Sequence, residues 1–278
     1  MSVINAVDVA DILTERFGLL LRGESRRDSD GEHCQLVPAE FAHTQGFSIG
    51  VHIGWRSIEA AFVPGNFASA LVSAMRHASL QQRVAFSAFA GAIRTDGAQL
   101  TFTINGIAVD SSADASWPTE WRTLSLRLHR SPVAIDHKDP QQLQRLVTCW
   151  GGRMLGLSLA LLPIEHEGIG DTEGSVVRFE GNRYERSPLN RAACIEIHGA
   201  MCRACGFDFG KRYGAAGAGF IEVHHIKPVS VIAPDTVVDP ARDLVPLCPN
   251  CHAMVHRRTP PYGVDDVRTM LGTEVPRG

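Results

Sequence analysis

Two closely spaced cysteine pairs in the last third of the chain constrain the fold more than any other feature of the sequence. Cys202 and Cys205 form one C-x-x-C pair, and Cys248 and Cys251 form the other. This spacing lets both thiolates of a pair reach one tetrahedral ion, so the two pairs together predict a structural zinc site. A redox pair or a disulfide-bonded loop is the alternative, although a redox centre needs only one pair and disulfides suit a secreted chain. Zinc bound by four thiolates would stabilise a segment too short to fold on its own core.

The remaining cysteines and the N-terminal sequence favour a cytoplasmic protein. Cys34, Cys149 and Cys194 are isolated, and we expect buried free thiols in a reducing compartment. The first residues, MSVINAVDVADILTERFG, carry acidic side chains where a signal peptide would be basic, and no apolar stretch has the length of a membrane helix. The formal net charge of −3 neither favours nor excludes nucleic acid, because a basic binding surface can coexist with an acidic remainder.

Four histidines follow in a pattern that indicates two different roles. His224 and His225 stand at the end of the run FIEV, which predicts a strand, so their side chains point to opposite faces. His252 and His256 are four residues apart in CPNCHAMVHRR, where a helix is predicted to begin at the second cysteine pair. Two histidines on one helical face can bind one metal ion.

The order of these elements resembles the HNH endonuclease family, which has a ββα-metal fold. The family consensus contains a cysteine knuckle, an H/D-H-I-x-P segment, N-L-x-x-L-C and C-x-x-C-H. This chain has HHIKP, DLVPLC and CPNCHAMVH in the same order after its first knuckle. It departs from the pattern at Asp243, where most members have asparagine. An ionised aspartate can accept hydrogen bonds but cannot donate them, so we expect the loop to be fixed differently here.

The resemblance implies a role for each histidine and for Asp243. It implies that His225 is the general base that takes a proton from the attacking water, and that Asp243 holds the loop of the catalytic site. It also implies that His224, His252 and His256 bind a catalytic divalent ion, Mg²⁺ or Mn²⁺, with Ni²⁺ or Zn²⁺ as alternatives. In the competing interpretation, the first two histidines are polar residues on a zinc-ribbon surface, and one of the helical pair enters the zinc site.

Residues 174–258 look more specifically like the C-terminal nuclease of McrA-like restriction endonucleases, in which an N-terminal domain recognises modified DNA. The resemblance includes the E-R-x-x-x-N-R segment before the first knuckle. It implies a restriction or phage-defence enzyme whose partner is modified double-stranded DNA. Basic residues in this region predict phosphate contacts, although interspersed acidic residues also fit an ordinary surface of mixed charge. The candidate DNA-binding residues are Arg186, Arg191, Lys211, Arg212, Lys227 and Arg257.

The N-terminal part predicts an α+β domain with a largely antiparallel sheet, in which we identify no family. Helices are predicted in VADILTERFGLLL, from Asn66 to Gln81 with Asn66 as N-cap, and from Asp139 and Pro140 through QQLQRLVTCWGGRML. Two extended segments joined near Gly54 are predicted in FSIGVHIGWRSIEAAFVP. Further predicted strands are RVAFSAFAGAIR and AQLTFTINGIAVD around a TDG hairpin, WRTLSLRLHR, and a closing LSLALLPIE.

The chain therefore predicts an α+β protein of three segments. These are a DNA-recognition or sensor domain at 1–165, a linker at 166–175 (HEGIGDTEGS) and a zinc-stabilised HNH nuclease domain at 176–278. A double-strand break by a nuclease with one active site usually involves two copies, which favours a homodimer, whereas a monomer would produce nicks. Two alternatives remain: a non-catalytic zinc-stabilised DNA-binding module, and a nuclease gated by a small signalling ligand. Aromatic and basic candidates for stacking on a flipped base, for which core packing is the competing role, are Trp55, Arg56, Trp117, Trp121 and Trp150.

Overall fold

The described part of the chain falls into two units. They are Met1–Leu162 and Pro163–Gly278. The expected linker at 166–175 lies outside the described residues. Within those residues, no helix combines the length and apolar character that crossing a membrane requires. The computed structural model describes residues 2–39, 46–112, 116–162, 188–226, 237–258 and 260–272.

In its described residues, the first unit consists of a seven-stranded antiparallel sheet and four helices. The strand order is β1-β2-β3-β4-β7-β5-β6. This confirms the predicted α+β class and the antiparallel sheet. The elements are α1 (Ala6–Phe17), β1 (Leu21–Arg27), β2 (Glu32–Pro38), β3 (Phe47–Ile53), β4 (Ile58–Pro64), α2 (Ser69–Arg76), α3 (Leu80–Thr95), β5 (Gln99–Ile104), β6 (Ile107–Ala108), β7 (Leu124–Arg130) and α4 (Pro140–Leu161).

Strand alternation places one face of this sheet in the core. Leu36 of β2 pairs with Ile49 of β3, and both side chains are fully buried. Helix α4 approaches this face at Gly151, where an added Cβ would lie 3.1 Å from the Leu36 side chain. The helix begins as expected, because the Asp139 side chain accepts hydrogen bonds from the first backbone N–H groups and proline follows it.

Three predictions in this unit are wrong. The segment RVAFSAFAGAIR is helical, because its buried residues recur with a helical period from Ala85 to Ile93 within α3. The run LSLALL continues α4 rather than forming a strand, since a continuous apolar run suits a buried helix equally well. Asn66 is not the N-cap of α2. The helix begins at Ser69, and its N-cap residue is Ala68, which makes no side-chain capping hydrogen bond.

The hairpin turn is also displaced from its predicted position. The TDG segment ends α3, with Asp96 as C-cap and Gly97 in a left-handed conformation at φ 79°. The reversal occurs instead at Asn105 and Gly106, which have φ values of 53° and 77° and connect β5 to β6. Two consecutive left-handed residues are the requirement of a type I′ hairpin turn, which asparagine and glycine meet.

The second unit consists of short elements around a small core. Strands β8 and β9 pair in antiparallel fashion, with His224 opposite Val245 and His225 opposite Leu244. The buried core contains Ile221, Leu247, Val255 and three of the paired cysteines. The elements are α5 (Pro188–His198), α6 (Phe209–Tyr213), β8 (Glu222–His225), β9 (Leu244–Leu247), α7 (Pro249–Val255) and α8 (Val264–Leu271).

Candidate metal centres and active site

The two C-x-x-C pairs converge on one point in the second unit. The sulfur atoms of Cys202, Cys205, Cys248 and Cys251 lie within 4.8 Å of one another, and all four are free thiols. The first pair sits in a tight turn in which Gly206 N–H donates to the Cys202 carbonyl at 2.8 Å. The second pair opens α7, with the Cys248 side chain as its N-cap. Four convergent thiols from two turns fit a tetrahedral zinc ion.

The thiols of this cluster differ in how readily they ionise. Burial raises the pKa of Cys205 to about 11 and raises the pKa of Cys251 further. Burial opposes ionisation of Cys202 as well, but the backbone N–H groups of Cys248, Cys205 and Ala204 lower its pKa overall. Without a cation, the cluster therefore has one favoured thiolate and neighbours that resist ionisation. A divalent ion would offset half of the charge of four thiolates and so favour their deprotonation.

Three histidines form a second cluster. Ligand nitrogens of His224, His252 and His256 lie within 4.8 Å of one another. The ring centroids are 4.9 to 5.2 Å apart, and the Nε2 atoms of His252 and His256 are 3.2 Å apart. The first histidine comes from β8, the second lies within α7, and the third is the C-cap of α7. The strand and the helix therefore bring together the residues expected to bind the catalytic ion.

The state of His224 provides a test of whether a metal fits this cluster. Its side chain is 5% exposed, and its buried Nδ1 has no hydrogen-bond partner among the described residues. Burial, and then the neighbouring His252 and His256, lower its pKa to about 4, so the ring is neutral at pH 7. A buried, neutral imidazole with an unsatisfied nitrogen is costly unless a ligand or ion satisfies it. The donor set therefore fits a divalent cation.

Glu222 is a member of the site that the sequence analysis missed. Its Oε2 atom accepts a hydrogen bond from Nδ1 of His252 at 2.5 Å. This contact fixes the ring so that Nε2 is the nitrogen free to bind a metal. The available signal was strand periodicity, because Glu222 and His224 are two residues apart in β8 and share one face.

His225 and Asp243 lie at the open end of the β8–β9 pair. His225 is half-buried and follows His224 in the strand, so its side chain points to the other face. Just beyond it, Ile226 N–H donates to the Asp243 carbonyl at 2.9 Å. The Asp243 carboxylate accepts from the Asp239 N–H at 2.9 Å. Aspartate thus ties this loop as an acceptor, and this bond needs no donor group at position 243.

The candidate DNA-binding residues lie in different environments. Arg191 donates to the Ile221 carbonyl at 2.8 Å and so connects α5 to the start of β8. Lys211, Arg212 and Arg257 are exposed, and the first lies 3.7 Å from Asp208. Arg186 and Lys227 lie outside the described residues.

The tryptophans of the first unit divide into two groups. Trp117, Trp121 and Trp150 are buried in the core, and Trp117 packs edge-on against Phe102 at 5.2 Å. Their packing role leaves no free ring face for a base. Trp55 is 80% exposed.

Comparison with known families identifies part of this second unit. Residues 202–258 match the family model described as HNH endonuclease. That range contains both cysteine pairs, all four histidines and Asp243. Neither the curated proteins nor the solved structures contain a match to this chain. The C-terminal third therefore carries an HNH endonuclease domain.

Proposed function

We propose that this protein is a metal-dependent DNA endonuclease that hydrolyses phosphodiester bonds at its HNH domain. The observation that carries the proposal is the convergence of three imidazoles on one point, one of them buried with an unsatisfied nitrogen. A purely structural zinc ribbon needs only the four thiols, and it gives this second cluster no purpose. The family match supports DNA as the substrate.

The histidines divide the chemistry between the two faces of β8. His225 accepts the proton of the attacking water, a role that the unprotonated nitrogen of a neutral imidazole can perform. His224, His252 and His256 hold the catalytic divalent ion, and Glu222 keeps the second of these rings in the metal-binding tautomer. The bound ion, Mg²⁺ or Mn²⁺ with Ni²⁺ or Zn²⁺ as alternatives, supplies positive charge to the scissile phosphate.

The other candidate residues of the second unit support this arrangement without entering the reaction. The four cysteines hold a structural zinc that fixes the start of α7 and thereby the position of His252. Asp243 holds the loop next to His225 through its acceptor bond to the Asp239 N–H. Arg191, Lys211, Arg212 and Arg257, together with Arg186 and Lys227, contribute contacts to DNA phosphates.

The first unit gives the nuclease its selectivity under this proposal. Both metal-ligand clusters found among the described residues belong to the second unit, so the seven-stranded sheet domain is available for recognition. We assign it the selection of modified double-stranded DNA, as in a cytoplasmic restriction or phage-defence enzyme. We further propose a linker at 166–175 between domains 1–165 and 176–278, and a homodimer for double-strand cleavage.

Plasmid cleavage tests the proposal directly. Wild-type protein should nick or cut plasmid DNA with Mg²⁺ or Mn²⁺, and His225→Ala should abolish cleavage while the zinc content stays the same. His77→Ala, at an exposed histidine of the first unit, is the matched control and should retain activity. Wild-type protein that binds DNA but cleaves neither unmodified plasmid nor any of the modified plasmids named below, with any of these ions, would establish a non-catalytic binding module instead.

The same assay tests selectivity. Unmodified, methylated, hydroxymethylated and phosphorothioated plasmids should be cleaved at different rates if the first unit recognises a modification. Equal rates on all four substrates would refute selection of modified DNA and leave the nuclease assignment intact.

A further inference from the structure

Trp55 is the most exposed large hydrophobic side chain in the part of the chain that the structure describes. It is 80% exposed and lies in the turn between β3 and β4 of the first unit. An exposed indole ring is less favourable than a buried one, because its apolar surface stays in contact with water. The other three tryptophans are buried. Packing therefore accounts for those three and not for Trp55.

The indole ring forms a platform together with a neighbouring imidazole ring. The ring of His137 stacks on it with centroids 5.4 Å apart and an interplanar angle of 6°. His137 donates from Nε2 to the Trp55 carbonyl at 3.0 Å, which fixes the imidazole in the stacked position. Val133 N–H donates to the Arg56 carbonyl at 2.9 Å and joins the loop before α4 to the same turn. Both rings are thus positioned before any ligand arrives, which lowers the entropic cost of binding.

A cavity adjoins this platform. Its volume is about 440 Å³, within the range of roughly 300–1,000 Å³ typical of small-ligand sites. The lining includes Trp55, Arg56, Asp136 and Gln142. The side chain of Arg56 is exposed and makes no ion pair within the described residues. The cavity therefore offers a flat aromatic surface, a guanidinium outside any ion pair within the described residues, and a carboxylate acceptor.

These groups match the chemistry of a nucleotide. A nucleobase presents a π-face to stack on the indole, and its phosphate presents an anion to the guanidinium. A base also carries exocyclic amino groups, which can donate hydrogen bonds to the Asp136 carboxylate. An aliphatic ligand would gain little from the flat ring, and a lone anion would gain little from the stacked pair.

We infer that Trp55, His137 and Arg56 form a nucleobase-binding site, in which Trp55 stacks on an unpaired base and Arg56 contacts its phosphate. The base belongs either to a DNA strand or to a free nucleotide. The choice of DNA rests on the proposed nuclease function, whereas the site itself lies wholly in the first unit and does not depend on cleavage.

Tryptophan fluorescence tests the inference without any catalytic step. Trp55 is the one exposed tryptophan of the four in the chain, so its emission is separable from the rest by iodide quenching. The full-length protein is titrated, without added divalent ion, with a short single-stranded oligonucleotide, its blunt duplex, and a deoxynucleoside monophosphate. Stacking should quench the Trp55 emission, and Trp55→Phe should remove the quenchable component.

Affinity measurements with variants complete the test. Trp55→Ala should weaken binding of the quenching ligand roughly 5- to 150-fold, the range for loss of one base-stacking contact. Arg56→Gln should lower the slope of log affinity against log salt by about 0.7 for a single strand, as loss of one phosphate contact requires. Phe67→Ala removes an aromatic ring that is 71% exposed in the same unit and should change neither.

The outcomes separate the two ligand sources and the two proposals. Quenching by the oligonucleotide and not by the mononucleotide assigns the site to a DNA strand, and equal or tighter binding of the mononucleotide assigns it to a free nucleotide. Absence of Trp55 quenching by all three ligands, or oligonucleotide binding that is unchanged in Trp55→Ala, overturns the inference. Neither of these results bears on the proposed nuclease activity, which is tested separately by plasmid cleavage with wild-type protein and His225→Ala.

Discussion

Replacing Glu222 by alanine is expected to weaken binding of the catalytic ion while leaving the fold intact. The Glu222 carboxylate accepts from His252 Nδ1 at 2.5 Å and so selects the nitrogen that faces the other two imidazoles. Loss of an outer partner of this kind costs about 10- to 100-fold in metal affinity. The Glu222 side chain is 43% exposed, so the ion pair itself contributes only about 0–1 kcal/mol to folding.

Glu222→Gln separates orientation from charge. Its carboxamide oxygen can still accept from Nδ1, so the ring keeps its tautomer but loses the basicity that a carboxylate confers. We therefore expect an affinity between those of the wild type and Glu222→Ala. Binding is measured by calorimetric titration of Mn²⁺ into zinc-loaded protein, and independently by the Mn²⁺ concentration that gives half-maximal plasmid cleavage.

A control carboxylate in the same unit makes the comparison specific. Asp265 forms an ion pair with Arg268 at 2.6 Å on α8, and Asp265→Asn should leave Mn²⁺ affinity unchanged. Zinc content should be the same in all variants. Mn²⁺ affinity within twofold of wild type in Glu222→Ala would refute the idea that this contact orients a metal ligand.

Three other changes have defined outcomes. Cys251→Ser should lose bound zinc and unfold the second unit, seen as increased proteolysis with the first unit intact; a folded, active variant would contradict a four-thiolate site. Asp243→Asn should retain cleavage activity, because an amide oxygen can still accept from the Asp239 N–H, and complete loss would show that the negative charge itself is needed. Burial, and then Arg203, hold the pKa of His198 below its ordinary value of 6.5, so the folded state binds this proton less readily than the unfolded state. The stability contributed by neutral His198 is therefore complete above pH 6.5 and falls as the pH drops. His198→Gln should reduce the change in the denaturation midpoint between pH 7 and pH 5.

The sequence predicted the second unit well because its information is local. The spacing of each C-x-x-C pair and the four-residue interval between His252 and His256 dictate which atoms can meet, whatever surrounds them. Glu222 escaped notice because an exposed glutamate in a strand is common, and only the position of α7 reveals its partner. The contact between Glu222 and His252 depends on tertiary structure, so no local sequence pattern predicts it.

The first unit was harder to predict because its patterns fit more than one structure. In RVAFSAFAGAIR, small residues between the phenylalanines resemble strand alternation, yet Phe86 and Phe89 are buried with helical spacing in α3. In LSLALL, uniform burial removes any period that would distinguish the end of α4 from a strand. Strands β3, β4 and β7 were predictable because one face carries large buried apolar side chains and the other carries smaller or polar residues, which leaves a period of two.

The dual role of Cys248 links the two ion sites. The same sulfur atom belongs to the thiol cluster and caps the helix that carries His252. If the thiols bind zinc as proposed, loss of zinc would remove the anchor of α7 at its first residue and displace His252, one turn further along. Zinc depletion should therefore abolish the proposed DNA cleavage, and adding zinc back should restore it.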